Sequence, residues 1–273
     1  MISFTKMEGI GNDFVMVDTI QQPTLSADWA VLAKVMNDRH FGVGGDGLIL
    51  LERGNLAPFK MRMFNPDGSE SEMCGNGIRC FANLLRDHNH ITKSEVNVET
   101  GAGILGLKLG ENNEVSVDMG IARFTRSEIG MTGDPISEFI EQTLQGRVGT
   151  AVSMGNPHLV IFVEDVRAVV LEIEGPKLER DELFSKRTNV HFGQIIDRGH
   201  LIQRTWERGA GATLACGTGA CATGAAAVRT GRADAHMQID LPGGTLKIDV
   251  SDHYEITMTG PAKTSFTGEW PES

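Results

Sequence analysis

The alternation of apolar and polar residues changes period along the chain, and the changes mark its elements. Over Val96–Thr100, Ile104–Leu109, His236–Leu241 and Thr245–Val250 apolar residues alternate with polar ones. A period of two is the sign of half-buried antiparallel strands, and the turn residues between members of each pair predict hairpins. Further strands are predicted over Phe14–Asp18, Phe59–Asn65, His158–Glu164 and Leu201–Glu207. Two stretches read as helices, Gly75–Asn89 and Gly217–Thr230. A third helix is expected after Ser26, with Ser26 as its N-cap and Trp29, Leu32, Ala33 and Met36 along one face.

These elements occur twice in the same order. Gly11-Asn12-Asp13-Phe14-Val15 falls on Gly155-Asn156-Pro157-His158-Leu159 at an offset of 144 residues. Phe64-Asn65 falls on Trp206-Glu207, and Cys74-Gly75-X-Gly77 on Cys216-Gly217-X-Gly219, both at 142; Gly103 falls on Gly244 at 141. Each match alone is weak; their order makes the repeat. The fold class expected is therefore α/β (α+β), with two pseudo-symmetric domains from an internal duplication. One half spans residues 1–120 and the other 150–262, with 121–149 as a linker of weak periodicity holding Gly130, Gly133 and Pro135. Residues 263–273 are expected to pack back on the N-terminal half. The second helix is built of small residues, Gly219-Ala220-Cys221-Ala222-Thr223-Gly224-Ala225-Ala226-Ala227, so strands can approach it from all sides. It is placed inside a β-barrel-like sheet. The first helix carries the bulkier Ile78, Phe81, Leu84 and Leu85, which calls for a wider barrel around it.

Composition narrows the classes. A chain of 273 residues, 40% apolar, is long enough for two ordinary domains. Its longest apolar runs fall far short of the ~20 residues that span a bilayer. The start, Met1-Ile2-Ser3-Phe4-Thr5-Lys6, lacks the features of a signal peptide, so a cytosolic protein without a membrane partner is expected. A net charge of −11 with no cluster of Lys or Arg argues against nucleic acid as a partner. An anionic small-molecule substrate remains open, because helix N-termini and a local Arg can hold a carboxylate.

Candidate chemistry centres on Cys74 and Cys216, each opening a Cys-Gly-X-Gly unit at the predicted start of a helix. Unpaired N–H groups and the positive end of the helix dipole favour a thiolate there, with a pKa expected below ~8.5. Two such thiols facing one another across a cleft could take a proton from one side of a carbon and return one to the other. Inversion needs two bases, because a single base returns the proton to the face it came from. The backbone N–H groups of Gly75, Asn76, Gly217 and Thr218 would bind the carboxylate on which charge builds up. Three other readings of the thiols stand beside this one: a structural disulfide, inert core cysteines, or zinc ligands. The spacings to Cys80 and Cys221 lack the tight pairs that zinc favours, and neither metal nor cofactor is expected. Cys80 and Cys221 read as small buried hydrophobes.

Asn12, Asn65, Asn156, Asn189, Glu207 and Arg208 all end strands or sit in Gly-containing turns. An Asn there often serves backbone geometry alone. The repeat, which pairs Asn12 with Asn156 and Asn65 with Glu207, favours contacts to a substrate with two amino-acid ends. His158 reads equally as an orienting or a structural histidine, and Asp46 as a turn residue.

At Asn65-Pro66-Asp67-Gly68-Ser69, followed by Cys74-Gly75-Asn76-Gly77-Ile78-Arg79, the chain resembles the diaminopimelate epimerase family. The likeness runs through Gly9-Ile10-Gly11-Asn12-Asp13-Phe14, Ser153-Met154-Gly155-Asn156-Pro157-His158, Glu207-Arg208-Gly209-Ala210-Gly211 and Ala215-Cys216-Gly217-Thr218-Gly219. It implies a homodimeric epimerase that interconverts LL- and meso-diaminopimelate without a cofactor, on the route to lysine and peptidoglycan. It implies Cys74 and Cys216 as base and acid, with Gly75, Asn76, Gly217 and Thr218 around the reacting carboxylate. Asn12, Asn65, Asn156, Asn189, Glu207 and Arg208 match substrate contacts, and His158 and Glu207 match auxiliary positions near the thiols. One departure is Gly47, where some members carry a Gln that contacts substrate. The rival within the same fold is a proline or hydroxyproline racemase, for which His is expected where this chain has Asn76. A non-catalytic binding module and a thiol redox protein are the readings from other classes.

Overall fold

The computed structural model describes residues 1–23 and 27–271, which fall into two compact units, Met1–Val117 with Gly260–Ser273, and Asp118–Thr259. The first opens on the hairpin β1 (Ile2–Gly9) and β2 (Asn12–Asp18). Its turn is Ile10-Gly11, both at positive φ (50° and 84°), the geometry that matches the twist of the flanking strands. Helix α1 (Trp29–Met36) follows, then β3 (Gly47–Arg53), β4 (Phe59–Phe64) and the two-residue β5 (Glu70–Ser71). Helix α2 (Gly75–Asp87), β6 (Glu95–Thr100), β7 (Gly103–Leu109) and β8 (Glu114–Ile121) complete the run. The C-terminal strand Lys263–Trp270 pairs antiparallel with β1.

The sheet of this unit has two covered faces. Val15, Val17, Leu48 and Leu50 pack with Leu32, Ala33 and Met36 of α1. Phe14 and Ile49, of opposite parity, reach Gly77 of α2. Helix α2 is buried from Gly75 through Leu85 and touches β1, β2, β3, β7 and the C-terminal strand, so the sheet curls around it. Helix α1 starts at Trp29 with Asp28 as N-cap, its side chain accepting from the Val31 N–H at 3.2 Å. Ser26, expected in that role, lies outside the described residues.

The second unit repeats the plan. It begins with the short helix α3 (Arg126–Ile129), β9 (Gln142–Leu144), β10 (Arg147–Ser153) and β11 (Pro157–Phe162). Helix α4 (Leu171–Glu179), β12 (Asn189–Asp197), β13 (His200–Glu207) and β14 (Gly211–Thr213) follow. Helix α5 (Gly217–Arg229), β15 (His236–Leu241), β16 (Gly244–Val250) and β17 (Glu255–Pro261) end it. In the first unit the pairings β1–β2, β2–β3, β3–β4, β4–β6 and β6–β7 run antiparallel, parallel, antiparallel, parallel, antiparallel. In the second, β10–β11, β11–β12, β12–β13, β13–β15 and β15–β16 follow the same series. Helix α5 is touched by β10, β11, β12, β15 and β16. A Cβ at Gly224 would come within 2.8 Å of Ile248 Cγ2 on β16, so the small residues of α5 are there to let strands approach.

Residues 121–149, expected to link the halves, belong instead to the second unit. Ile129, Met131, Phe139 and Leu144 are buried in its apolar cluster with Leu159, Ile161, Val190 and Phe192. Elements of three or four residues are too short to show a period, so the pattern concealed them. Strands β3 and β12 were also outside the alternating pattern. Each pairs parallel with its predecessor, and Leu48 to Leu51 are all buried, giving a continuous apolar run.

Candidate active site

Each unit presents one cysteine in the same local setting. Cys74 caps α2 with extended backbone (φ −138°, ψ 119°), and Cys216 caps α5 likewise (φ −130°, ψ 104°). Neither thiol makes the side-chain capping bond that Ser or Asp makes in this position. Both stand at the start of a helix whose first N–H groups have no intrahelical acceptor. The first turns are glycine-bearing for steric reasons. A Cβ at Gly77 would meet Ile49 Cδ1 at 2.7 Å, and one at Gly219 would meet His191 Cε1 at 2.3 Å. None of the four cysteines is joined in a disulfide.

In the first unit, Asn12 Oδ1 accepts from the Cys74 thiol (3.7 Å) and from Asn76 Nδ2 (3.2 Å). The amide of Asn12 is itself oriented from behind, Nδ2 donating to Asp46 Oδ2 at 2.5 Å. Asp46 accepts in addition from the Asp13 N–H and from Arg39 Nη2, and Arg39 bridges to Asp13. Lys6, buried, donates to the Gly44 carbonyl and pairs with Asp13 at 2.5 Å. Asp46 is thus more than a turn residue: it fixes which end of the Asn12 amide faces Cys74. Lys6, Arg39 and Asp46 lie up to about 40 residues apart in sequence, and no spacing joined them. Asn65 is held across the β4–β5 turn, its Nδ2 donating to Ser69 Oγ at 3.0 Å. Gly47 is buried, and a Cβ there would come within 2.9 Å of the Met63 methyl. A longer side chain at that position would displace Met63.

In the second unit, the ends of β11, β12 and β13 bring the expected residues together. Asn189 Nδ2 donates to the Pro157 carbonyl (3.0 Å), and its Oδ1 accepts from the Arg208 N–H (2.9 Å). Arg208 Nη1 donates to the Lys186 carbonyl, and Glu207 Oε1 accepts from Thr213 Oγ1 at 2.6 Å. Thr218 Oγ1 lies 3.8 Å from Cys216 Sγ, and Gly217 is buried beside it. Burial pushes the Cys216 thiol well up, and the neighbouring Glu207 carboxylate pushes it the same way. The Gly219 N–H and the Thr218 hydroxyl oppose them without prevailing. The lowered pKa expected of a thiol at a helix start therefore does not hold for Cys216: desolvation outweighs the dipole and favours the thiol form. Burial also pushes Cys80 up to about 12, consistent with an inert core residue.

Behind Cys216 runs a buried polar chain that sequence reading missed beyond His158. His158 Nε2 donates to Asn156 Oδ1 at 2.8 Å, so in the neutral ring Nδ1 accepts, here from His191 Nε2 at 2.8 Å. His191 Nδ1 then accepts from Thr205 Oγ1 (3.0 Å), which accepts from Gln203 Nε2 (2.9 Å). Every proton is assigned if both histidines are neutral. His191 sits between Val190 and Phe192 in a strand, where it reads as one more core position; no signal marked it.

Burial pushes His191 down to about 3, and burial, with His191 and Arg208, pushes His158 well below its ordinary value. Unfolded, each ring binds a proton near pH ~6.5, while the folded protein keeps both neutral. Their contribution is therefore intact above about 6.5 and declines as pH falls toward the folded values, approaching ~1.4 kcal/mol per pH unit for each ring. Urea unfolding at about pH 7.5 and about pH 5 should show that decline, and His191→Gln should lessen it. Equal slopes in the two proteins would contradict a neutral buried pair.

The diaminopimelate epimerase family model matches residues 4–125 and 150–265. The chain is 47% identical over 279 aligned positions to diaminopimelate epimerase 1 of Nostoc sp., covering 98% of this chain and 99% of the relative. It is 46% identical to the diaminopimelate epimerase of Pelotomaculum thermopropionicum, covering 98% of each. Among solved structures it resembles a PhzF-family phenazine biosynthesis protein from Bacillus anthracis, with TM-score 0.72, 17% identity and 99% of both chains covered. It also resembles a hydroxyproline epimerase from Agrobacterium vitis, with TM-score 0.70, 15% identity, and 98% of this chain and 91% of that one covered. At those identities the likeness is one of fold, and the proline and hydroxyproline enzymes are relatives in architecture alone. With a cysteine capping a buried helix in each unit, and near-full-length similarity to enzymes of one kind, the chain belongs to the diaminopimelate epimerase family.

Proposed function

We propose that the protein interconverts LL- and meso-diaminopimelate by a two-base mechanism, in which Cys74 and Cys216 act on opposite faces of one α-carbon. The observation that carries this reading is the pair of matched settings, each with a cysteine in extended conformation at the start of a helix buried in its own sheet. When Cys74 is the deprotonated member of the pair, it takes the α-hydrogen as a proton, and the electron pair left on carbon delocalises into the carboxylate. The N–H groups at Gly75, Asn76, Gly217 and Thr218 stabilise that charge. Cys216, held as a thiol by burial and Glu207, gives its proton to the other face and is left as thiolate. The reverse reaction runs the same steps backwards.

Asn12, Asn65, Asn156, Asn189, Glu207 and Arg208 hold the substrate in this reading, several of them at the end that does not react. Asn156 Oδ1 accepts from His158, and in this reading its Nδ2 hydrogens serve a substrate carboxylate. His158 acts through Asn156 as a positioning residue. The reading carries with it what the family resemblance implies: a homodimer in the cytoplasm, serving lysine and peptidoglycan synthesis and working without pyridoxal phosphate.

Incubating the reduced protein with LL-diaminopimelate in deuterium oxide tests it. Deuterium should enter one α-carbon as the meso isomer forms. Folded, reduced protein that exchanges nothing, or that racemises proline and leaves diaminopimelate unchanged, would refute the reading.

A further inference from the structure

At the far end of α2 from Cys74, two histidines converge on one buried carboxylate oxygen. Asp18 closes β2, and its side chain is 3% exposed. Its Oδ1 accepts from the N–H groups of Ile20 (3.0 Å) and Gln21 (3.2 Å), which fixes the plane of the carboxylate. Its Oδ2 is met at 2.7 Å by both His88 Nδ1 and His90 Nε2.

The histidines are set by the way the helix ends. His88 is the C-cap of α2, and Asn89 follows in the left-handed conformation (φ 60°). The Asn89 N–H bonds to the Arg86 carbonyl and the His90 N–H to the Leu85 carbonyl, the two bonds of a Schellman motif. This turn holds two imidazoles, separated by one residue, on the same side. The His90 ring also rests against Phe59, with centroids 5.9 Å apart. The three donor atoms lie within 4.8 Å of one another. A cleft of about 430 Å³, lined in part by Asp18, Gln21, Gln22, His88 and Glu269, reaches the group from solvent.

We propose that Asp18, His88 and His90 form a binding site for a divalent transition-metal ion of the zinc class, separate from the catalytic thiols. Two imidazoles and a carboxylate suit zinc or cobalt; magnesium and calcium prefer sites made of oxygen alone. A tetrahedral ion with bonds of about 2.0–2.1 Å holds its donors ~3.4 Å apart, so the present contacts widen by less than about 1 Å. Binding replaces the ring hydrogen that faces Asp18 at each nitrogen with a metal bond, the other ring nitrogen carrying the hydrogen of the neutral ring. Solvent from the cleft supplies the fourth ligand. Thirteen helical residues at about 1.5 Å each put this site about 20 Å from the start of α2. An ion here would fasten the end of α2 to β2 and take no part in proton transfer.

The test is metal binding by the full-length, chelator-treated protein. Zinc titration should show a site that weakens at least ~10-fold in Asp18→Asn and in His90→Ala. Zinc should raise the melting temperature of the unaltered chain and leave those variants unmoved. Cobalt bound at the site should give ligand-field bands without a sulfur-to-cobalt charge-transfer band, which separates it from binding to cysteine. His88→Gln, at the more open of the two rings, serves if a buried variant fails to fold. No binding, binding of equal strength in the folded variants, or a sulfur charge-transfer band as the only cobalt signal would each overturn the proposal.

Discussion

Cys216→Ala is expected to lower the rate of interconversion by ~10³-fold or more, with Cys74→Ala doing the same. Positioned acid–base groups are each worth ~10²–10⁴-fold, and inversion needs both proton transfers to occur in one turnover. The two variants should differ in what survives. With one thiol left, a proton can leave and return on the same face. Each variant should then wash solvent deuterium into one stereoisomer of the substrate without inverting it, and the two should favour opposite stereoisomers. Stereoisomer analysis beside deuterium content reads this directly. Either variant inverting within about tenfold of the unaltered rate would show that its thiol is not one of the two bases.

Gly219→Ala is expected to damage turnover strongly through a single added methyl. The added Cβ would lie 2.3 Å from His191 Cε1, with both ring nitrogens inside 3 Å. His191 cannot withdraw: it is fully buried and bonded at both nitrogens, to His158 and to Thr205. Overpacking of this kind costs ~1–3 kcal/mol, and relief must come from the first turn of α5, which carries Cys216. A shift of about 1 Å there is enough for a ~10²-fold loss in kcat/KM. Adding His191→Ala should restore part of the stability lost to Gly219→Ala, giving a favourable coupling in the double-mutant cycle. Gly106→Ala is the control, since the nearest atom to its Cβ would be Asn97 Oδ1 at 3.7 Å. Equal effects at Gly219 and Gly106 would refute the steric account.

The half-sites were legible in sequence to different depths. Cys74, Cys216 and the turn asparagines Asn12 and Asn156 stood out because glycine marks a backbone demand that few other residues satisfy. Gly11 and Gly155 indeed lie at positive φ (84° and 88°). The groups behind them were not legible. Asp46 looked like part of a turn, yet its carboxylate holds the Asn12 amide. His191 looked like a core position, yet it orders the protons between Thr205 and His158. The Cys216 thiol was expected to be acidic and is the reverse, because the dipole at a helix start is a local property and desolvation is not.

By itself the sequence determined the duplication, the β-rich halves around two central helices, and the two cysteines at the helix starts. Those follow from local periodicity and from glycine at particular offsets, which short-range sterics dictate. Only the tertiary structure decided that residues 121–149 complete the second unit, that the parallel strands β3 and β12 join each half, and which buried groups hold Asn12 and His158. Burial, hydrogen-bond partners and the cost of charge depend on neighbours brought close by folding, and no spacing along the chain encodes them.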